Sequence, residues 1–519
     1  MTTPDSFGKC GLFASFLVLG CAAVLSGCAV DAPPPTVAVA APPQWYAAMP
    51  KADAARAATA ANTSKTDVTP ANSLPHNGSL SSLSMWWQQQ NDPLLVDMIS
   101  AAQIVSPTVI TARSNIQQAQ ASRTESAAAL LPVLDGFGNI TRSRSALANR
   151  TLTPAISNVS QAGLQISWEI DLFGQNEASL NADSERLLGT QARWHEARIL
   201  VAAEVASQYY GLRACEQLLG VTSADAASRL ETSRLSDLLT KAGFGAPATA
   251  ALARATAAEG NSRITQQRAE CDGNIKALTA LTGWSEPDLR QKLVQSPNVP
   301  PQQGMAEISS VPADVLGQRP DVYSAARELN AVSFEVGSAR AQRYPRLSIG
   351  GNIAANRFGS RGVSQRFNTW SIGPVALTVP LFDGGAADAN VDAAKARYEE
   401  AAGKYRGVVR QAVREVEEAL LALQSTTDRG SDTLVAADGY RASFTGTEAR
   451  YKAGLASLVE LEEARRVLLA AQSAVVLLER ERRYAWIALY KALGGGWTTT
   501  AAHPTPMIFG IPEAFLPDW

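Results

Sequence analysis

Apolar residues at seven-residue intervals constrain this chain more than anything else in it. One row passes through Val391, Tyr398, Tyr405, Ala412 and Ala419, and a second through Ala402, Val409, Val416 and Leu423. The pattern resumes at Leu461, Leu468, Val475 and Leu489, beside Ala464, Ala471, Leu478, Ala485 and Ala492. An earlier set runs Leu180, Leu187, Trp194 and Val201, then Val205, Leu212 and Leu219. Rows held at this spacing specify left-handed packing of helices along their length. A helix over 175–242 would be about 100 Å long at 1.5 Å per residue. No globule can enclose such a rod, so it must lie beside other rods.

The rods reverse at two similar places. Lys241-Ala242-Gly243-Phe244-Gly245-Ala246-Pro247 and Arg450-Tyr451-Lys452-Ala453-Gly454-Leu455-Ala456-Ser457 each put glycine where a helix ends. Turn chemistry accounts for the glycines. It does not account for Phe244 and Leu455, bulky apolar residues at hairpin tips, which call for a partner surface.

Between the rods lie strands. Ala162, Leu164, Ile166, Trp168, Ile170 and Leu172 alternate with Gln161, Gly163, Gln165, Ser167, Glu169 and Asp171, giving one oily and one wet face. A partner near 133–144 is joined through a polar loop holding Asn149, Pro154 and Asn158. Leu347, Ile349 and Ile353, then Trp370, Ile372, Val375, Leu377 and Val379, mark a second pair, in which Pro374 predicts a bulge or bend. Strands of about 10–13 residues suit a tilted crossing of an outer membrane.

The whole pattern occurs twice. Leu131-Pro132 recurs as Tyr344-Pro345, Leu172-Phe173 as Leu381-Phe382, Lys241-Ala242-Gly243 as Lys452-Ala453-Gly454, and Gly283-Trp284 as Gly496-Trp497. All four spacings fall near 211, far longer than a solenoid unit, which predicts one tandem duplication.

Composition narrows the function. Lys and Arg number 46 against 48 Asp and Glu, which argues against a nucleic-acid partner. His76, His195 and His503 are far apart, so no metal site is expected. The motifs of metal-dependent and serine hydrolases and phosphate-cradling loops are missing, so no catalytic residues are assigned. After residue 30 no apolar run approaches the 18 or so that a membrane helix needs.

The N-terminus reads as a leader. An apolar stretch over 11–24 behind Lys9 has signal-peptide length, and it closes on Leu25-Ser26-Gly27-Cys28, which resembles the bacterial lipobox. Cys28 is then the lipidation site, and the following Ala29-Val30 direct the lipoprotein to the outer membrane by the same resemblance. Residues 28–90, with Pro33-Pro34-Pro35 and Pro42-Pro43, form a tether that cannot bury a core, with Trp86-Trp87 placed to dock on the body. Of the remaining cysteines, Cys215 and Cys271 are equidistant from the turn glycine Gly243 and both face the seam of the hairpin. In an oxidising periplasm they are predicted to form a disulfide.

Together with the lipobox and the doubled plan, Leu316-Gly317-Gln318-Arg319-Pro320-Asp321, Tyr344-Pro345-Arg346-Leu347, Pro380-Leu381-Phe382-Asp383-Gly384-Gly385 and Leu489-Tyr490-Lys491-Ala492-Leu493-Gly494-Gly495-Gly496-Trp497 resemble the TolC-like outer-membrane efflux factors, in particular the NodT branch of lipoproteins. The resemblance covers residues 86–497. It implies a mainly α chain with a small β part, assembled as a trimeric duct: four strands per chain form a 12-stranded barrel, and the coiled-coil helices form a periplasmic tunnel.

The segments expected are a leader (1–27), tether (28–90), first repeat (91–284), equatorial linker (285–318), second repeat (319–497) and C-terminal equatorial segment (498–519). Strands are expected near 133–144, 160–172, 346–358 and 367–380, and helices near 174–242, 247–282, 384–451 and 455–494. The resemblance further implies passive efflux of small molecules, with a periplasmic membrane-fusion adaptor, an inner-membrane RND pump and outer-membrane lipid as partners. No cofactor is implied beyond the covalent lipid on Cys28. Family aperture positions fall on Tyr451, Val459, Glu463 and Arg466, where a charge pair could link neighbouring helices. Adaptor docking falls on Gly243, Phe244, Gly454, Leu455 and Ser457. A duct of the same shape serving type I protein secretion is the alternative.

Overall fold

The computed structural model describes residues 92–145, 155–296, 319–360 and 362–496, with short stretches at 32–37, 47, 87, 507–508 and 511–512. The leader, Cys28, Asn149, Pro154 and most of the tether, equatorial linker and C-terminal segment lie outside the described residues.

In chain order the elements are α1 (Pro93–Val105), α2 (Pro107–Ala128), β1 (Val133–Ser145), β2 (Ala155–Ile170), α3 (Gln175–Lys241), α4 (Pro247–Thr282), α5 (Glu286–Gln295), α6 (Pro320–Ala341), β3 (Arg346–Ser360), β4 (Val363–Thr378), α7 (Ala386–Lys452) and α8 (Leu458–Ala492). Helix starts follow local chemistry. Proline occupies the first turn of α1, α2, α4, α5 and α6, where its missing N–H costs nothing. At the corners from sheet to rod, Asp171 accepts hydrogen bonds from the backbone of Gln175 and Glu177, and Asp383 from Gly385 and Ala387. Those backbone donors hold the Asp383 carboxyl below its usual range.

The two halves match in dimension, since α3 and α7 both run 67 residues and α4 and α8 run 36 and 35. They differ at their openings. The first half begins with two helices bent by 50° at Ser106, the second with the single helix α6. Pro107 is the reason for the break, because the residue before a proline is forced out of the helical region.

The four strands form one antiparallel sheet in the order β1-β2-β3-β4. They extend further towards the turns than the sequence pattern implied: β2 starts at Ala155, so Asn158 is a strand residue, and β4 starts at Val363. The irregularity expected at Pro374 is present as a register shift between Ile349 and Gly351 opposite it.

The helices bury their rows at three levels. Just below the sheet, Leu329, Val332 and Val336 of α6 meet Val391, Ala394 and Tyr398 of α7. At the equator a larger core joins Leu95 and Met98, Val205 to Leu212, Ile275 and Leu278, Val409 to Leu423, and Trp486 to Leu493. Trp87 of the tether is buried in this core against Tyr490. Near the tips a small core joins Ala253, Leu458 and Leu461, with Phe444 and Tyr451 packed against it. The row through Trp194 runs differently from the heptad reading. Trp194 is only half-buried, and Ala192 and Ile199 turn inward in its place.

Candidate functional site

Both turns sit at the ends of the long helix pairs, α3–α4 and α7–α8, away from the sheet. Gly243 and Gly454 hold φ of 80° and 75°, a left-handed conformation that strains any residue with a Cβ. Phe244 is 86% and Leu455 71% exposed, so the apolar tips are uncovered in the single chain. The Ser457 hydroxyl, expected at the docking surface, is committed to a capping box with Glu460 at the start of α8.

The aperture residues lie about one to three turns above the tips. Tyr451 is half-buried, with its hydroxyl 3.2 Å from Ser236 Oγ of α3. Val459 is exposed. Glu463 and Arg466 pair with each other along α8, Arg466 Nε donating at 3.0 Å, and both face solvent. Within one chain the pair is intrahelical. Side chains three apart on a helix are adjacent, and they satisfy one another first.

Beside them is a buried ionic cluster that sequence reasoning missed. Glu462 and Arg465 belong to a run of charges that reads as a solvated face, yet they turn inward onto α3. Arg229 donates to Asp225 at 2.8 Å and to Glu462 at 2.6 Å. Arg465 pairs with Glu462, donates to Thr232 and Ser228 at 2.9 and 3.0 Å, and lies over the Phe444 ring. Burial pulls the Arg465 pKa below the ordinary arginine value, with Glu462 opposing it. The available signal was the 3-4-3 spacing Leu458, Leu461, Arg465, Leu468, which puts the arginine on the core stripe.

Two of the motifs quoted from the sequence, those at Arg319 and at the end of α8, meet at the equator, whereas Tyr344-Pro345 and Leu381-Phe382 lie at the corners between sheet and rods. Arg319 is buried, donating to Asp321 at 2.7 Å, to Glu415 of α7 at 2.7 Å and to the Ala492 carbonyl at 2.9 Å. Burial pushes the Glu415 carboxyl up, but hydrogen bonds from Gln411 and Arg319 leave it below its usual range. The Gly-Gly-Gly end of α8 fits here for steric reasons: a Cβ on Gly495 would lie 2.6 Å from Ile199 of α3. Asp92 caps α1 and accepts from Tyr209 at 2.6 Å; burial first, then Asp92, pushes that phenol up to about 12. Cys215 and Cys271 are joined in a disulfide across α3 and α4, with Cα atoms 5.5 Å apart.

Comparison with known proteins agrees with this architecture. The family model described as outer membrane efflux protein matches residues 98–284 and 311–495. The solvent efflux pump outer membrane protein SrpC of Pseudomonas putida is 29% identical over 415 residues, covering 79% of this chain and 87% of that one. Nodulation protein T of Rhizobium leguminosarum bv. trifolii is 28% identical over 430 residues, covering 80% and 88%. Among solved structures, the outer-membrane channel OprN superposes with a TM-score of 0.73 at 25% identity, over 89% of this chain and 99% of that one. The outer membrane protein VceC of Vibrio cholerae gives 0.71 at 25% identity, over 80% and 99%. With its sheet in the outer membrane and its helices reaching into the periplasm, this chain belongs to the outer membrane efflux protein family, whose work is transport.

Proposed function

We propose that three copies of the chain assemble into a passive duct, the outer-membrane stage of a tripartite RND-type efflux system for small molecules. The observation that carries this reading is a four-stranded sheet of membrane-crossing length whose outer strands, β1 and β4, have no further partner among the described residues. Unpaired strand edges are forbidden in lipid, and about eight strands are the fewest that close a barrel. Three copies supply twelve. The rods below then line a periplasmic tunnel. Cys28 carries lipid that pins the N-terminus to the membrane, an adaptor seats on Phe244 and Leu455, and an inner-membrane pump supplies the energy.

Mobility of unheated protein in detergent gels tests the assembly. A species of about three chain masses, collapsing to one on boiling, is expected, because closed barrels resist detergent; migration as a monomer before heating would overturn it. The aperture is tested with Glu463→Ala and Arg466→Ala combined. Conductance of the isolated duct in planar bilayers should rise, and an unchanged closed level counts against these residues as the gate.

A further inference from the structure

The far end of the sheet carries cations with no counter-charge. No acidic residue occurs between 136 and 168 or between 346 and 382, whereas arginines stand at 142, 144, 150, 346, 357, 361 and 366. Register fixes the face of four of them. Ile140, Ser160, Arg357 and Arg366 are aligned across the four strands, and Arg142 and Arg144 follow at the next positions of that face. It is the face of Leu164, Ile166, Ile353, Trp370 and Ile372. Along β2 and the upper part of β3 it is also the more exposed one: Leu164, Ile353 and Arg357 are open, while Gln161, Gly163 and Asn356 are half-buried and Ala354 is buried. The arginines therefore share the more exposed side, which is the lipid-facing one once the sheet closes into a barrel.

Their height on that side is equally definite. The apolar rows run from Leu347 to Ala355, about 27 Å along the strand, which at a tilt near 40° stands about 21 Å tall. That is close to the apolar band of an outer-membrane barrel. Arg357 and Arg366 come one row above it, Arg142 and Arg144 higher still, at the end away from the helices. Arg357 and Arg366 face each other directly, Arg357 Nε donates to Ser364 Oγ at 3.2 Å, and among the described residues none of the four makes an ion pair with a carboxylate. Two guanidinium groups side by side at a lipid boundary require an anion, and the planar fork of arginine matches phosphate oxygens two at a time.

We propose that Arg142, Arg144, Arg357 and Arg366 form a binding site for the phosphates of outer-leaflet glycolipid, holding lipid A against the barrel wall. The site rests on the membrane placement of the sheet, which the unheated-gel mobility reads separately.

The test uses full-length assembled lipoprotein offered bisphosphorylated lipid A or its phosphate-free counterpart, with retained lipid counted by native mass spectrometry. Wild type should retain the phosphorylated form at least about tenfold better than a variant carrying Arg142→Gln, Arg144→Gln, Arg357→Gln and Arg366→Gln. The two proteins should retain the phosphate-free form equally. Lysine at the same four positions should restore part of the retention, as a point charge without the fork. A two-site variant, Arg357→Gln with Arg366→Gln, makes the same comparison with less disturbance of the barrel. Equal retention of phosphorylated lipid A by wild type and both glutamine variants would overturn the site. So would block of ion conduction by inorganic phosphate in wild type but not in the variants, which would put the arginines in the lumen.

Discussion

The equator and the sheet are built from the same kinds of side chain, used in opposite ways. At the equator Trp486 is 4% exposed and Arg319 is enclosed by two carboxylates and a carbonyl of the same chain. In the sheet Trp370 is 75% exposed and Arg366 faces another arginine. One region completes its own core; the other is finished only by lipid and further copies. The equator is thus where a single chain becomes stable, and the sheet is where it becomes part of an assembly.

Charging the lipid face gives the largest effect expected of this division. Ile353→Lys should cost about 2–4 kcal/mol per copy, felt at every copy in the barrel. Loss of the heat-sensitive oligomer on gels reads it, whereas Asn356→Lys, on the wet face three residues on, should leave the oligomer intact. Assembly surviving Ile353→Lys would break the comparison.

Next is Arg319→Ala, which strands Asp321 and Glu415 without their cation. A loss of about 3–5 kcal/mol is expected in denaturant unfolding of the helical signal. Replacing both Cys215 and Cys271 by serine frees a loop with a sequence separation of 56 and should cost about 2–4 kcal/mol. Mass mapping with and without reductant checks that the bridge forms.

A smaller, pH-dependent effect comes from His195 on α3. Burial, and secondarily Arg198, lowers its pKa from 6.5 to about 4. The unfolded chain then takes up a proton that the folded chain refuses. Stability is complete above about pH 6.5 and declines as pH falls towards 4. His195→Gln should flatten the melting temperature across that window, and an unchanged slope would refute the assignment. Smallest of all, Glu463→Ala with Arg466→Ala should leave the melting temperature unchanged, since both side chains are exposed to water and salt screens the pair.

Much of this molecule was legible from periodicity. The rods ended within three residues of where glycine, proline and the seven-residue rows placed them, because helix ends obey local chemistry. The Cys215–Cys271 pairing followed from distance to one turn. Strand limits were less legible, since polar residues such as Arg144, Ser145, Ser157 and Asn158 blur the strand ends and only ladder pairing says where a strand stops. The ionic cluster of Arg229, Glu462 and Arg465 was hidden because charges in a run look solvated until a second helix is laid against them.

By itself the sequence determined long helices, alternating strands and exposed apolar tips, each of which depends on neighbours a few residues away. Only the tertiary structure decided which charges turn inward, why glycine follows the end of α8, and that four arginines share one face of the sheet. Those outcomes depend on register between segments more than about two hundred residues apart in the chain, and no local spacing encodes register across such a distance.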